Sequence, residues 1–146
     1  MAGRYGSITK ADIALAAATA KTVLQLGAVN VAFKLKRVSV SFDGILNTAV
    51  PPLVEILRQS TAGTMTNHAP LPGDDSCADA LNTTGRHTAS AEPTAGVILE
   101  AHRVHPQTSL NLFFADEYVC GPTDYIGIRV TSAAVVNVSG VMGFEE

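Results

Sequence analysis

Between Phe33 and Phe42 the chain reads F-K-L-K-R-V-S-V-S-F. Phe33 and Leu35 fall on one face of a strand, and Val38, Val40 and Phe42 fall on the other unless an extra residue resets the phase. The skip lies at Lys36-Arg37 and predicts a β-bulge, in which two residues of one strand oppose one of its neighbour. Asp43-Gly44 follows as a turn signal. Other runs have the same period. Thr22, Leu24 and Leu26 alternate with Val23 and Gln25. Leu110, Leu112 and Phe114 share a face in a strand running to about Val119, and Gly121-Pro122 turns the chain. Ile126, Ile128 and Val130 alternate with Tyr125, Gly127 and Arg129, and Val136, Val138, Met142 and Phe144 close the series with Gly140 at one inward position.

Two runs are ambiguous. Leu53 to Arg58 follows Val50-Pro51-Pro52, and Pro52 suits either the start of a helix or the flank of a strand buried on both sides. The all-β surroundings favour the strand. Strand and helix compete again over Val97 to Val104. Residues 60–92 break the pattern: they are rich in Gly, Pro, Ser, Thr, Asn and Asp and hold no apolar period beyond a short edge strand around Arg86–Ala91. A loop of that length inside a domain is usually functional or an interaction surface. About seven or eight strands separated by turn signals predict an all-β chain, a single antiparallel β-sandwich of jelly-roll type. It carries neither an internal repeat nor a second domain.

Residues 1–20 are small and alanine-rich. Thr9-x-x-Asp12 ahead of Ile13 offers a helix cap, but so short a helix is marginal without packing. The expected division is therefore an N-terminal arm over 1–20, with one helical turn, and a sandwich over 21–146. Arg4, Lys10 and the run to Ala18-Thr19-Ala20 imitate a secretory leader, but Asp12 interrupts an already weak apolar stretch, so the first twenty residues are expected to be kept. The chain reads as soluble, with no run near the ~18 apolar residues of a membrane span.

Composition adds one point. Charged residues make up 16% of 146 residues against a typical quarter, too few to cover a monomer comfortably, which points to surface buried against other protein. A net charge of −3 gives no basic footprint for nucleic acid. Cys77 and Cys120 are not a framework, and two free thiols are expected rather than a bridge.

Candidate chemistry is thin. His102-x-x-His105 on a strand sends its rings to opposite faces, which defeats chelation. Asp74, Asp75 and Asp79 lack the spacing and glycine of a calcium loop. There is no G-x-S-x-G elbow, and Gly63, Gly73 and Gly85 are isolated. Asn82-Thr83-Thr84 and Asn137-Val138-Ser139 match a glycosylation pattern that recurs by chance. Aromatics are 5% with no tryptophan, a poor endowment for stacking sugars or bases. Catalytic, metal and cofactor sites are all expected to be absent, and the reading is that of a protein that is not an enzyme.

Several segments taken together carry a resemblance: A-T-A-K-T-V-L-Q-L at 18–26, V-S-F-D-G at 40–44, V-P-P-L-V-E-I-L-R-Q-S-T-A-G-T at 50–64, A-E-P-T at 91–94, R-V-H-P-Q at 103–107, I-G-I-R-V-T at 126–131 and the terminal V-M-G-F-E-E. In this order they resemble a family of small virion proteins of tailed bacteriophages and prophages. The resemblance implies a capsid decoration (cement) protein on the outside of the head. Its partners would be the major capsid protein and copies of itself, as a homotrimer by analogy, with no nucleic acid and no membrane. The alternative is the receptor- or carbohydrate-binding head of a fibre. In either case the N-terminal arm is expected to reach a neighbour, with Ile8, Ile13 and Leu15 as anchors and Arg4 and Lys10 as polar contacts.

Overall fold

In the computed structural model the described residues are 3–43, 50–74 and 80–146. They form β1 (Tyr5–Leu15), β2 (Lys21–Gly27), β3 (Phe33–Phe42), β4 (Leu53–Gln59), β5 (Thr64–Asn67), β6 (Leu71–Pro72), β7 (Thr84–Ala91), β8 (Ala95–Arg103), β9 (Ser109–Phe113), β10 (Val119–Cys120), β11 (Tyr125–Thr131) and β12 (Val136–Glu145). Two antiparallel sheets pack face to face. One runs β10-β3-β12-β1-β6, with β9 also on β3, and the other runs β5-β7-β2-β11-β4-β8. The β-sandwich is as expected, and both ambiguous runs are strands, β4 and β8. Among the described residues twelve strands replace the expected seven or eight, because residues 5–15 form β1, residues 60–92 add β5 and β6, and the run expected from 110 to about 119 is two strands, β9 and β10. The strand around 86–91 is real but is not an edge, since β7 lies between β5 and β2.

The bulge in β3 falls where the alternation skips. Gly143 of β12 pairs with Arg37 and Phe144 with Leu35, leaving Lys36 unopposed. Phe33, Leu35, Val38 and Val40 therefore all enter the core, where Phe33 meets Phe144 edge-on at 5.8 Å. β2 hides a second such shift. Leu24 pairs with Ile128 and Thr22 with Arg129, so Val23 is the extra residue. Val23, Leu24 and Leu26 pack inward, while Thr22 joins Gln25 on the outer face rather than sharing a face with Leu24.

The N-terminal segment corrects the expected arm. Residues 5–15 are a strand hydrogen-bonded along β12 from Tyr5↔Glu145 to Leu15↔Val136, with no helical turn. Ala11 and Asp12 together oppose Ser139, and Asp12 takes a left-handed backbone (φ 55°) while its N–H donates to Ser139 Oγ. This bulge brings Ile8, Ile13 and Leu15 onto the core side together, where each is at most 2% exposed. They are core residues of this chain and are not free to anchor a neighbour. The unit boundary expected at 20/21 does not divide the structure, because β1 sits between β12 and β6.

Candidate functional site

The sequence-derived candidates for chemistry stay dispersed. His102 Nε2 lies 3.2 Å from Glu100 Oε1, whereas His105 is exposed beyond the strand and its Nδ1 accepts from the Gln107 N–H. Among the described residues no three His, Cys, Asp or Glu side chains gather into a metal-binding group. Asp75, Cys77 and Asp79 lie outside the described residues. Cys120 is free and buried, and burial together with nearby Asp124 pushes its thiol up to about 11, the reverse of a nucleophile.

Arg4 and Lys10 go to different places. Arg4 continues the β1–β12 ladder by exchanging backbone bonds with Glu146, and its Nη2 donates to Glu146 Oε1 at 2.6 Å. The same carboxylate accepts from the N–H groups of Asn82 and Thr83 and from Thr83 Oγ1. Burial works to raise the Glu146 acid range. The hydrogen bonds from Asn82 and Thr83 and the Arg4 charge outweigh it, so the group stays below the usual carboxylate range. This cluster clasps the first and last strands to the 80–84 segment, which is a structural role. Lys10 lies on β1, across from β7.

The two outer faces differ. On the β2-β11-β4 sheet a polar chain is buried: Glu92 accepts from Thr22 N–H and Oγ1, Thr22 Oγ1 accepts from Gln59 Nε2, and Gln59 Oε1 accepts from Gln25 Nε2 at 2.7 Å. Gly127 gives Gln59 its room, since a Cβ there would stand 2.4 Å from Gln59 Oε1. The opposite outer face is open. One row of paired positions crosses it from edge to edge as Leu71, Ser7, Gly143, Arg37 and Phe113. Its middle is low, its ends are apolar, and Phe113 is 77% exposed.

The most distinctive surface is β8. It ends its sheet, so one of its backbone edges has no strand partner among the described residues. At nine residues it is the longest strand at the end of either sheet. Val97 and Ile98 are 67% and 47% exposed along it. On its inner side Leu99 packs on the core, and Val104 N–H is fixed to Pro52 O and Arg103 Nη1 to Pro51 O. An edge with free N–H and C=O groups and bare aliphatic side chains is a template for another polypeptide unless something covers it. Its two register shifts, at Leu99 and between Ile98 and Ala95, twist the strand and limit how far unwanted pairing can propagate. The sequence pattern could not assign this role, because an apolar run buried on both faces and one at an exposed edge look alike.

No family model, curated protein or solved structure matches the chain.

Proposed function

We propose that the protein is a structural component of a tailed-bacteriophage virion, a decoration protein that binds the major capsid protein and further copies of itself on the outside of the head. The observation that carries this reading is the open, apolar β8 edge on a two-sheet body. Strand order supports it by analogy. Setting aside β5, β6, β7 and β10, the sheets run β1-β12-β3-β9 and β2-β11-β4-β8, the order of an eight-stranded jelly roll, a fold used by capsid and lectin domains. A cement role needs contact area repeated over a shell, where weak contacts add through avidity. A homotrimer joins unlike patches of neighbouring copies, and β8 supplies one of them.

A second reading, a glycan- or receptor-binding fibre head, draws on the open face, where Tyr5 and Phe113 stand exposed around Arg37 despite the low aromatic content. Quantitative mass spectrometry of purified particles separates the two. Hundreds of copies per particle, lost together with head stability when the gene is deleted, support decoration. A handful of copies confined to tail fractions supports the fibre head, and absence from particles refutes both.

A further inference from the structure

Segment 64–72 leaves one sheet and joins the other. β5 pairs with β7, the chain crosses at His68 to Pro70, and β6 pairs with β1. Little holds it. Both strands are short and largely exposed, and the crossing is tied by His68 N–H to Gly85 O at 2.9 Å and Gly73 N–H to Tyr5 O at 2.8 Å. Segments with few buried contacts open first. What lies beneath is apolar and close: a Cβ added at Gly85 would meet His68 O at 2.5 Å and Ile8 Cγ2 at 2.6 Å.

Two imidazoles meet under this crossing. The rings of His68 and His87 stack edge-to-face with centroids 5.8 Å apart. His68 Nε2 is buried without a hydrogen-bond partner among the described residues, and His87 Nδ1 is 2.9 Å from Thr88 Oγ1. Thr88 itself holds a left-handed backbone (φ 56°), costly for a β-branched residue, at a point where β7 carries two more residues than β5 between paired positions. Among the described residues the charge that bears on His87 has one sign. Lys10 on β1 bears on His87, Leu24 of β2 and Thr66 of β5 are its paired neighbours, and adjacent Arg86 is turned away over the Tyr125 ring. Among the described residues no third His, Cys, Asp or Glu joins the pair. A proton on His87 would place a charge near Lys10 and against the His68 ring, whose buried Nε2 offers it no compensation.

We propose that residues 64–72 form an acid-released strap, held closed while neutral His87 packs edge-on against the His68 ring and opened when His87 takes up a proton, uncovering Ile8 and the β7 edge. Burial first, then Lys10 and His68, lowers the His87 acid range. The open form therefore binds protons more readily than the closed one, and closure is complete above about pH 6.5 and weakens as pH falls below it.

Amide hydrogen exchange on the full chain, corrected for intrinsic rates, tests this at pH 7.5, 6.5 and 5.5. Protection of the His68 and Gly73 amides should fall about tenfold between pH 7.5 and 5.5, relative to amides of β12, for a single histidine kept neutral when closed. His87→Gln should flatten that dependence. Lys10→Glu, an exposed change that supplies a carboxylate, should flatten or invert it and decides the matter if His87→Gln fails to fold. A strap-to-β12 protection ratio constant across the range, or a slope undiminished in the variants, overturns the proposal.

Discussion

Deleting one residue from β3 should be nearly harmless at one position and ruinous two or three residues away. Lys36 is the unopposed residue of the bulge, so its removal lets Leu35 and Arg37 pair in step with Phe144 and Gly143, and Phe33, Leu35, Val38 and Val40 still face inward. The losses are the bonds from Phe114 N–H to Lys36 O and from Lys36 Nζ to Ala115 O, with surface ion pairs to Asp116 and Glu145. The backbone bond is worth about 1 kcal/mol net, and surface contacts of the Lys36 ammonium contribute little. Deleting Ser39 has no bulge to absorb it. Val40, fully buried opposite Leu110 and Gly140, turns outward and Ser41 turns in. Exposing a valine costs about 1.5–3 kcal/mol and burying an unpaired hydroxyl about 1–3 kcal/mol. The sum, about 2.5–6 kcal/mol, approaches the whole stability of a marginal domain at its upper end. Urea unfolding followed by circular dichroism should give a small midpoint shift for the Lys36 deletion and a largely unfolded chain for the Ser39 deletion. Equal losses in the two would refute the bulge as the device that sets the strand's phase.

Changing Val97 and Ile98 to Lys should leave the melting midpoint within a degree or two, since both are exposed, yet abolish self-association and particle binding in sedimentation and pull-down assays. Gly85→Ala should destabilise by about 2–3 kcal/mol or more in denaturant titration, because its Cβ collides with a backbone oxygen and a core methyl rather than a movable side-chain tip. Glu146→Gln should cost about 1–3 kcal/mol at pH 7. Because the Glu146 acid range is lowered by folding, its contribution is present above the ordinary carboxylate range and lost as pH falls through the folded value, so the wild type should lose its advantage over this variant in acid melts. Cys120 should resist a thiol reagent at pH 8 in the native state and react only on unfolding, as a buried thiol held near 11 requires.

The period-two pattern was legible from residues alone because a strand's inward positions are fixed by its own pleat. It located β3 with its bulge, β11 and β12, and it gave the two-sheet class. It failed at β1, where Ser7, Thr9, Lys10, Ala11 and Asp12 dilute the apolar signal. There a bulge at Ala11-Asp12 is needed before Ile8, Ile13 and Leu15 share a face. Removing residues 5–15 would strip those side chains from the core. β2 failed for the same reason on a smaller scale, with Val23 as the hidden extra residue.

The site was less legible than the fold. Composition pointed to buried exterior but not to its place, and V-I-L at 97–99 reads alike as helix, core strand or edge. Only the order of strands leaves β8 with an unpaired flank among the described residues, and only long-range pairing brings His68 beside His87 and Lys10 near His87. Local alternation is set by neighbours along the chain, so the sequence determined which residues turn inward within most strands. Which strand lies at an edge, and which distant side chains meet, depends on hydrogen bonds between segments many tens of residues apart, and that was decided by the tertiary structure.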